Sequence, residues 1–152
     1  MTAHSVRSHA IELAVEADAA FPMFTPLGEI DWVEGWEPEF LHPADGATGD
    51  GMVFRTRHDG EETLWACVDW RPAERRVRYV RVTPGSRFAF VAVAVEAIGA
   101  RRCRVRVDYT TTALSPAGAE TMAAVTPERF RAGIEGWRTA LERCLSAERG
   151  PS

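Results

Sequence analysis

The alternation of apolar and polar residues predicts that the chain begins with a β-strand. Val6, Ile11, Leu13 and Val15 are spread along an alternating stretch, residues 5–16, that ends in acidic residues. A period of two is typical of a strand with one buried face. The first predicted element is therefore a half-buried strand.

Two short helices are predicted to follow. Asp18 stands where it can cap the first of them, and Phe21, Phe24 and Leu27 recur at a three-residue, helix-like spacing. Prolines within the same stretch forbid one long regular helix. We therefore expect two short pieces, separated near residues 26–28.

A turn-rich segment, residues 42–51, leads into a series of further strands. The runs predicted as strands are residues 51–58, 62–70, 75–83, 86–97 and 101–114. The connections between them are short and contain Gly or Pro, as hairpin turns do. This arrangement predicts an antiparallel meander.

One face of the predicted sheet is rich in arginine, and the other is apolar. The alternating sets are Arg102, Arg104, Arg106 and Asp108 against Cys103, Val105, Val107, Tyr109 and Thr111; Arg76 and Arg78 against Val77 and Tyr79; and Arg55 and Arg57 against Met52, Phe54 and Thr56. In residues 62–70 both faces contain large apolar groups, so the directions of Trp65 and Asp69 stay open.

A long amphipathic helix is predicted to cover the apolar face. Ser115-Pro116 and Thr126-Pro127 are helix-start signals, and Gly150-Pro151 is the predicted end. The apolar stripe of the helix consists of Phe130, Ile134, Trp137, Leu141, Cys144 and Leu145. A helix of about 20 residues is on the order of 30 Å long, enough to cross the sheet. One helix seldom fills a bent sheet, so a pocket of about 300–1,000 Å³ is expected between them.

Composition excludes several classes of protein. The 152 residues are 45% apolar and 26% charged, with no apolar run of membrane-spanning length and no secretory signal pattern, so a cytoplasmic protein is predicted. The net charge is −4, and every basic residue other than histidine is arginine. The arginines are interpreted as a solvated sheet face rather than a nucleic-acid surface.

Cys67, Cys103 and Cys144 have no metal-ligand spacing and are interpreted as reduced thiols.

Three segments, GEIDWVEGWEP (28–38), VTPGSR (82–87) and YTTTALSPAG (109–118), together with the order of elements, give the chain a family resemblance. It resembles the START-like superfamily, also called SRPBCC, and most of all its small bacterial members, which are uncharacterised or labelled polyketide-cyclase-like. The resemblance implies one START-like domain over residues 1–152, with its core at about 6–147. The implied fold is the α+β helix-grip fold, a curved antiparallel sheet wrapped around a long C-terminal helix with two short helices after the first strand.

The candidate ligand-binding residues are those expected around such a pocket: Trp32, Trp36, Phe54, Trp65, Tyr79, Arg81, Val107, Tyr109, Phe130, Ile134 and Trp137. Trp32 and Trp36 are interpreted mainly as anchors of the second helix, with stacking on a ligand as the alternative. Arg81 and Asp69 are expected to pair if both point inward. Tyr79, Tyr109 and Thr111 are candidate hydrogen-bond donors to a ligand.

The chemistry-bearing patterns are weak. No nucleophile elbow or phosphate loop is present, and His42 and His58 lack metal-ligand spacing. No catalytic residue, metal or cofactor is assigned, although Glu29, placed at the start of the second helix, is the one acid near the tryptophans singled out for testing.

The sequence therefore favours a protein that binds a small hydrophobic or aromatic molecule, lipid-like or polyketide-like. Two alternatives stay open. One is an enzyme of the cyclase or dehydratase type that uses Tyr109, Arg81 or Asp69. The other is a protein-interaction module resembling activators of a chaperone ATPase. The oligomeric state, a homodimer included, stays open.

Overall fold

A computed structural model describes residues 3–148, which contain one seven-stranded antiparallel sheet. The strands are β1 (His4–Leu13), β2 (Glu39–His42), β3 (Val53–His58), β4 (Glu61–Arg71), β5 (Arg76–Thr83), β6 (Arg87–Gly99) and β7 (Arg102–Ala113). The helices are α1 (Ala17–Ala20), α2 (Pro26–Glu29), α3 (Pro116–Ala124) and α4 (Pro127–Glu148), with 3₁₀ turns at Phe21–Phe24 and Pro72–Glu74. The predicted helix-grip fold is confirmed.

The five predicted hairpin strands are β3 to β7, and β7 then pairs with the N-terminal strand. The sheet order is β1-β7-β6-β5-β4-β3-β2. Strand β2 was not predicted, because it has four residues and lies next to a segment dense in acids and turn residues. Its Glu39 accepts two hydrogen bonds from Arg55, and its Phe40 packs on Phe54, which add it to the sheet edge.

The predicted faces of the sheet are confirmed, and a bulge in β4 decides the orientation that the sequence left open. Trp65 pairs with Arg81 and Cys67 with Tyr79, so all four side chains share the inner face. The register then shifts between Cys67 and Asp69. This one-residue shift turns Asp69 outward, where it accepts a hydrogen bond from Arg71. The condition for a pair between Asp69 and Arg81, that both side chains point inward, is therefore not met.

The segment between β1 and β2 is more broken than the spacing of its phenylalanines predicts. Phe21 and Phe24 are buried, but they lie in a 3₁₀ turn, and Leu27 is 43% exposed. Asp18 lies inside α1 and forms an ion pair with Arg75 instead of capping the helix. Pro22 lies at the start of the 3₁₀ turn and Pro26 at the start of α2. Because a proline interrupts a helix, the segment cannot form one continuous helix.

The helix-start signals near the C-terminus are confirmed, but they mark two helices. The Ser115 hydroxyl accepts from the Gly118 amide at the start of α3, and the Thr126 hydroxyl accepts from the Arg129 amide at the start of α4. The nine-residue α3 had not been counted as a separate element. The predicted end of α4 at Gly150-Pro151 lies outside the described residues.

Helix α4 lies against the inner face of β1. Ile134 and Leu141 are at most 3% exposed, and the polar contact between His9 and Glu135 (2.6 Å) joins the two elements. None of the helices within residues 3–148 has both the length and the apolar character needed to cross a membrane.

Substitution of Gly118 tests the close contact between α3 and the backbone of Ser86. A Cβ atom at this position would lie 1.8 Å from the Ser86 carbonyl oxygen, so Gly118→Ala is expected to destabilise the fold by about 1–3 kcal/mol. Gly133 in α4 has open space around it, and Gly133→Ala is expected to stabilise the fold by about 0.5–1 kcal/mol. Urea unfolding of both variants checks this prediction, and equal effects would contradict it.

Candidate ligand-binding site

A cavity of about 200 Å³ lies under the segment that follows α2. We call it the tryptophan cavity. Its walls are Pro26, Glu29, Val33, Trp36, Trp65, Tyr79, Arg81, Val91, Val93, Tyr109 and Trp137. The sheet contributes its floor from β4 to β7, and α4 contributes Trp137.

Four residues of the segment after the first 3₁₀ turn reach this cavity because of their spacing. Pro26, Glu29, Val33 and Trp36 stand three, four and three residues apart, and the turns that continue from α2 to Trp36 keep a helix-like set of hydrogen bonds. Residues at this spacing lie on one side of a helical path. Trp32 has helical spacing from Glu29 and Trp36 as well, but its ring packs against Phe24 and Trp137 and does not line the cavity.

The indole N–H groups of the tryptophans in and beside the cavity are bound to the protein. Trp36 donates to the Pro26 carbonyl at 2.9 Å, and Trp65 donates to the Thr56 hydroxyl at 3.0 Å. Trp32 donates to the Met23 carbonyl at 2.7 Å. Because their polar edges are occupied, Trp36 and Trp65 offer apolar ring surface to the cavity, at a fixed orientation.

Trp32 has a packing role. It is 8% exposed and makes edge contacts with Phe24 and Trp137, at centroid distances of 5.6 Å to each. Trp36 makes edge contacts with Phe54 and Trp65. Both tryptophans therefore anchor the segment, as the sequence favoured, and Trp36 also lines the cavity.

A second cavity of about 180 Å³ lies between β1, β7 and α3. We call it the α3 cavity. It is lined by Ser5, Arg7, Arg81, Arg87, Tyr109, Thr111, Thr121, Met122, Val125 and Phe130. Arg81 and Tyr109 line both cavities, so these two side chains form the boundary between them.

Arg81 is held at this boundary by aromatic rings. Its guanidinium carbon lies 4.9 Å from the centre of the Tyr109 ring and 5.2 Å from that of Trp65. These are cation–π distances. Within the described residues no carboxylate lies within 4 Å of Arg81, whereas Arg55 and Arg87 on the same sheet are each paired with glutamate.

Glu29 faces the tryptophan cavity and is mostly neutral near pH 7. Burial raises the pKa of its carboxyl to about 8, because a charged carboxylate is poorly solvated there. The residue is half-buried and lines the cavity. None of the described residues forms a hydrogen bond with this carboxyl group.

The two tyrosines of the cavity differ. Tyr79 is 4% exposed and donates its hydroxyl proton to the Phe24 carbonyl at 3.0 Å, so it is not free to donate to a ligand. Tyr109 packs edge-on against Phe130, and its hydroxyl forms no hydrogen bond with the part of the chain that the structure describes. Burial raises the pKa of both phenols, which keeps them protonated near neutral pH.

The structure divides the predicted ligand-binding residues into two groups. Those that line a cavity are Trp36, Trp65, Tyr79, Arg81, Tyr109, Phe130 and Trp137. Those that lie in the core are Trp32, Phe54, Val107 and Ile134. Glu29 was considered but not assigned to the pocket, although its helical spacing from Val33 and Trp36 would have placed it there.

The histidines and cysteines do not form a metal centre in the described residues. No three His, Cys, Asp or Glu side chains within residues 3–146 lie close enough to hold an ion. His58 contacts Asp59 at the surface. Cys67 and Cys103 are buried free thiols, and burial raises the pKa of Cys67 to about 11.

Solved structures share this architecture at low sequence identity. Norcoclaurine synthase from Thalictrum flavum, in complex with dopamine and hydroxybenzaldehyde, is 15% identical with a TM-score of 0.69, over 99% of this chain and 90% of that chain. A hypothetical protein from Helicobacter pylori is 13% identical with a TM-score of 0.71, over 90% of this chain and 85% of that chain. A protein of the dynemicin biosynthetic locus is 17% identical with a TM-score of 0.63, over 93% of this chain and 47% of that chain.

No protein-family model matches the sequence, and neither does any curated protein. At these identities the structural similarity establishes the fold and nothing finer. The fold is the helix-grip fold, with a cavity between sheet and helix.

The pKa of Glu29 predicts how stability depends on pH. The folded protein keeps the proton up to about pH 8, whereas an ordinary glutamate releases it near pH 4.5. Stability is therefore expected to fall as pH rises through this interval, because the unfolded state then binds fewer protons than the folded state. We expect Glu29→Gln to remove a loss on the order of 3 kcal/mol between pH 5 and pH 8.

Urea unfolding at several pH values measures this effect. Glu34→Gln is the matched control, since Glu34 is exposed on the same segment, and it should keep the pH dependence of the wild type. If the free energy of unfolding changes with pH in the same way in the wild type and in Glu29→Gln, the raised pKa of Glu29 is contradicted.

Proposed function

We propose that the protein is a member of the START-like superfamily that binds a small aromatic molecule in the tryptophan cavity. The observation that carries this proposal is the cavity itself, in which aromatic walls from Trp36, Trp65 and Trp137 face a floor of Val91 and Val93. Such a lining favours a flat apolar ligand, because it removes ligand surface from water at about 25 cal/mol per Å² before the cost of ordering.

The size of the cavity narrows the ligand class. An apolar protein cavity of about 150 Å³ admits a benzene molecule. A volume of about 200 Å³ therefore suits one or two fused rings better than a long-chain lipid or a large polyketide. It is also smaller than the pocket expected from the sequence.

The similar structures support the same class. The Thalictrum flavum enzyme carries two small aromatic molecules, dopamine and hydroxybenzaldehyde. The protein encoded in the dynemicin biosynthetic locus has the same architecture. Neither ligand is transferred to this chain, but both are of the size that the tryptophan cavity accommodates.

Filling the cavity is expected to abolish binding. Val91 lies on the floor, and Val91→Phe should lower the affinity for indole and 2-naphthol at least tenfold by occupying the space of the ligand. Val68→Phe is the control, because Val68 is 47% exposed at the β4 bulge. Isothermal titration calorimetry measures both, with thermal unfolding to show that each variant is folded. Unchanged affinity in Val91→Phe would place the ligand elsewhere.

A second candidate function, proton transfer to or from the bound molecule, is favoured by Glu29. A carboxyl group with a pKa of about 8, facing an apolar cavity without a protein partner, has the protonation behaviour of a general acid or base that works near neutral pH. This observation shifts the enzyme hypothesis from Tyr109, Arg81 and Asp69 to Glu29. Asp69 is excluded from the site, because it points outward.

This candidate predicts catalysed exchange of an acidic C–H proton. The protein should accelerate deuterium exchange at the α-carbon of phenylacetone in D₂O, with a rate that rises up to about pH 8 as Glu29 ionises. Glu29→Gln should reduce the catalysed rate at least a hundredfold and leave the affinity for 2-naphthol within about threefold. NMR measures the exchange. A variant as active as the wild type would exclude Glu29 as the base.

The protein-interaction alternative has less support. It requires a filled interior and an arginine face available to an acidic partner. Cavities lie between the sheet and the helices, and five of the seven arginines predicted on the outer face already contact acids of the same sheet. Arg55 and Arg57 contact Glu39. Arg102 and Arg104 contact Glu12, and Arg106 contacts Asp108.

A further inference from the structure

Arg81 is half-buried at the boundary between the two cavities, and no carboxylate of the described residues lies within 4 Å of it. Its side chain lines both cavities, and its contacts among the described residues are with the rings of Trp65 and Tyr109. An interior arginine is usually paired, because desolvating its charge is costly. Ring contacts offset part of this cost, but they leave the N–H donors of the guanidinium unused.

The surroundings of Arg81 reinforce the positive charge. The lining of the α3 cavity includes Arg7 and Arg87 as well, and no acidic residue. Arg87 is neutralised by Glu61, at 3.0 Å. The Arg7 side chain is bound to the carbonyl oxygens of Val6 and Val125, which do not cancel its charge. The side of Arg81 that faces the α3 cavity is therefore electropositive.

The tryptophan cavity contains no opposing negative charge near neutral pH. The acid among its lining residues is Glu29, and burial raises its pKa to about 8. A ligand in this cavity thus meets apolar rings on most sides and a cation at the boundary with the α3 cavity.

We propose that Arg81 is an anion-binding residue, and that the ligand of the tryptophan cavity is an aromatic carboxylate whose ring lies among the tryptophans and whose carboxylate accepts hydrogen bonds from the Arg81 guanidinium. This inference rests on the proposed binding function and specifies its ligand class. A carboxylate matches the planar fork of one guanidinium, and such charge-assisted pairs are among the stronger hydrogen bonds in proteins. The Tyr109 hydroxyl, which lines the same boundary, is a second available donor.

The test compares aromatic acids with their amides, which have nearly the same shape and no charge. Isothermal titration calorimetry at pH 7 would use 2-naphthoate against 2-naphthamide, and benzoate against benzamide. The wild type is expected to bind each acid at least tenfold more tightly than its amide, as a charge-assisted pair provides. Arg81→Met should remove that preference and leave the affinity for the amides within about threefold.

Arg78→Met is the matched control. Arg78 lies on the same strand, and its guanidinium stacks on the Phe90 ring at 4.4 Å, but it points to the outer face. This variant should keep the preference of the wild type. Arg81→Lys, which retains the charge without the planar fork, should show an intermediate preference and serves as the second variant if Arg81→Met does not fold.

The outcomes separate the two levels of the proposal. Equal affinity of the wild type for acids and amides would overturn the role of Arg81 and leave the aromatic-binding function standing. An acid preference that persists at wild-type strength in a folded Arg81→Met would overturn it as well, since the charge that selects the acid would then lie elsewhere. In Arg81→Lys, a preference at wild-type strength would overturn the proposed contact with the planar guanidinium, because lysine keeps the charge without the fork. Failure of both acids and amides to bind would overturn the binding function itself.

Discussion

The interior of this protein stays open because α4 packs against one edge of the sheet. Its buried residues Ile134 and Leu141 lie over β1, which is an end strand in the sheet order. Trp137, at the middle of the apolar stripe, meets Trp32 and Phe24. The central strands are covered instead by α1, by the 3₁₀ turn at Phe21–Phe24 and by large rings from the segment after α2. Rings of that size, each fixed in its own orientation, leave space between them that smaller side chains would close.

The hydrogen bonds of the indole groups make this arrangement rigid. Each of Trp32, Trp36 and Trp65 uses its N–H on an oxygen of the protein, so rotation of a ring would leave a donor without a partner in an apolar environment. The walls of the tryptophan cavity are therefore largely formed before a ligand arrives. A preformed apolar site avoids much of the cost of ordering side chains on binding.

The fold could be predicted from the sequence because its alternation is strong and its turns are short. Strand β7 is the clearest case, since arginines and apolar residues exchange faces at every position from Arg102 to Val107. The bulge at Val68 could not be predicted, because Trp65, Cys67 and Trp70 face the same side only when one extra residue is inserted between them. Strand β2 was missed because its pairing depends on Arg55, sixteen residues from Glu39 in the chain.

The site was harder to predict than the fold, because a cavity depends on what the side chains fail to fill. Val107 and Ile134 have the right residue type and the right face, yet neighbouring side chains enclose them fully. The sequence predicts Glu29 mainly as an acid near a helix start, since a carboxylate surrounded by other acids is typical of a solvated surface. Glu29 lies on the same helical side as Trp36, and this position places it in the wall of the tryptophan cavity.

The two faces of the sheet differ in whether their arginines are paired with acids. On the outer face arginines lie beside acids in water, where each pair contributes little to stability, as with Arg102 and Glu12. On the inner face the same residue type, Arg81, has no such neighbour within the described residues, and the nearby acid Glu29 is held neutral by burial. A protein that needed this half-buried arginine for stability alone would be expected to pair it, because a partner lowers the free energy of a partly desolvated cation. Because none of the described residues pairs with Arg81 and space lies beside it in two cavities, we propose that a bound molecule supplies the missing interaction.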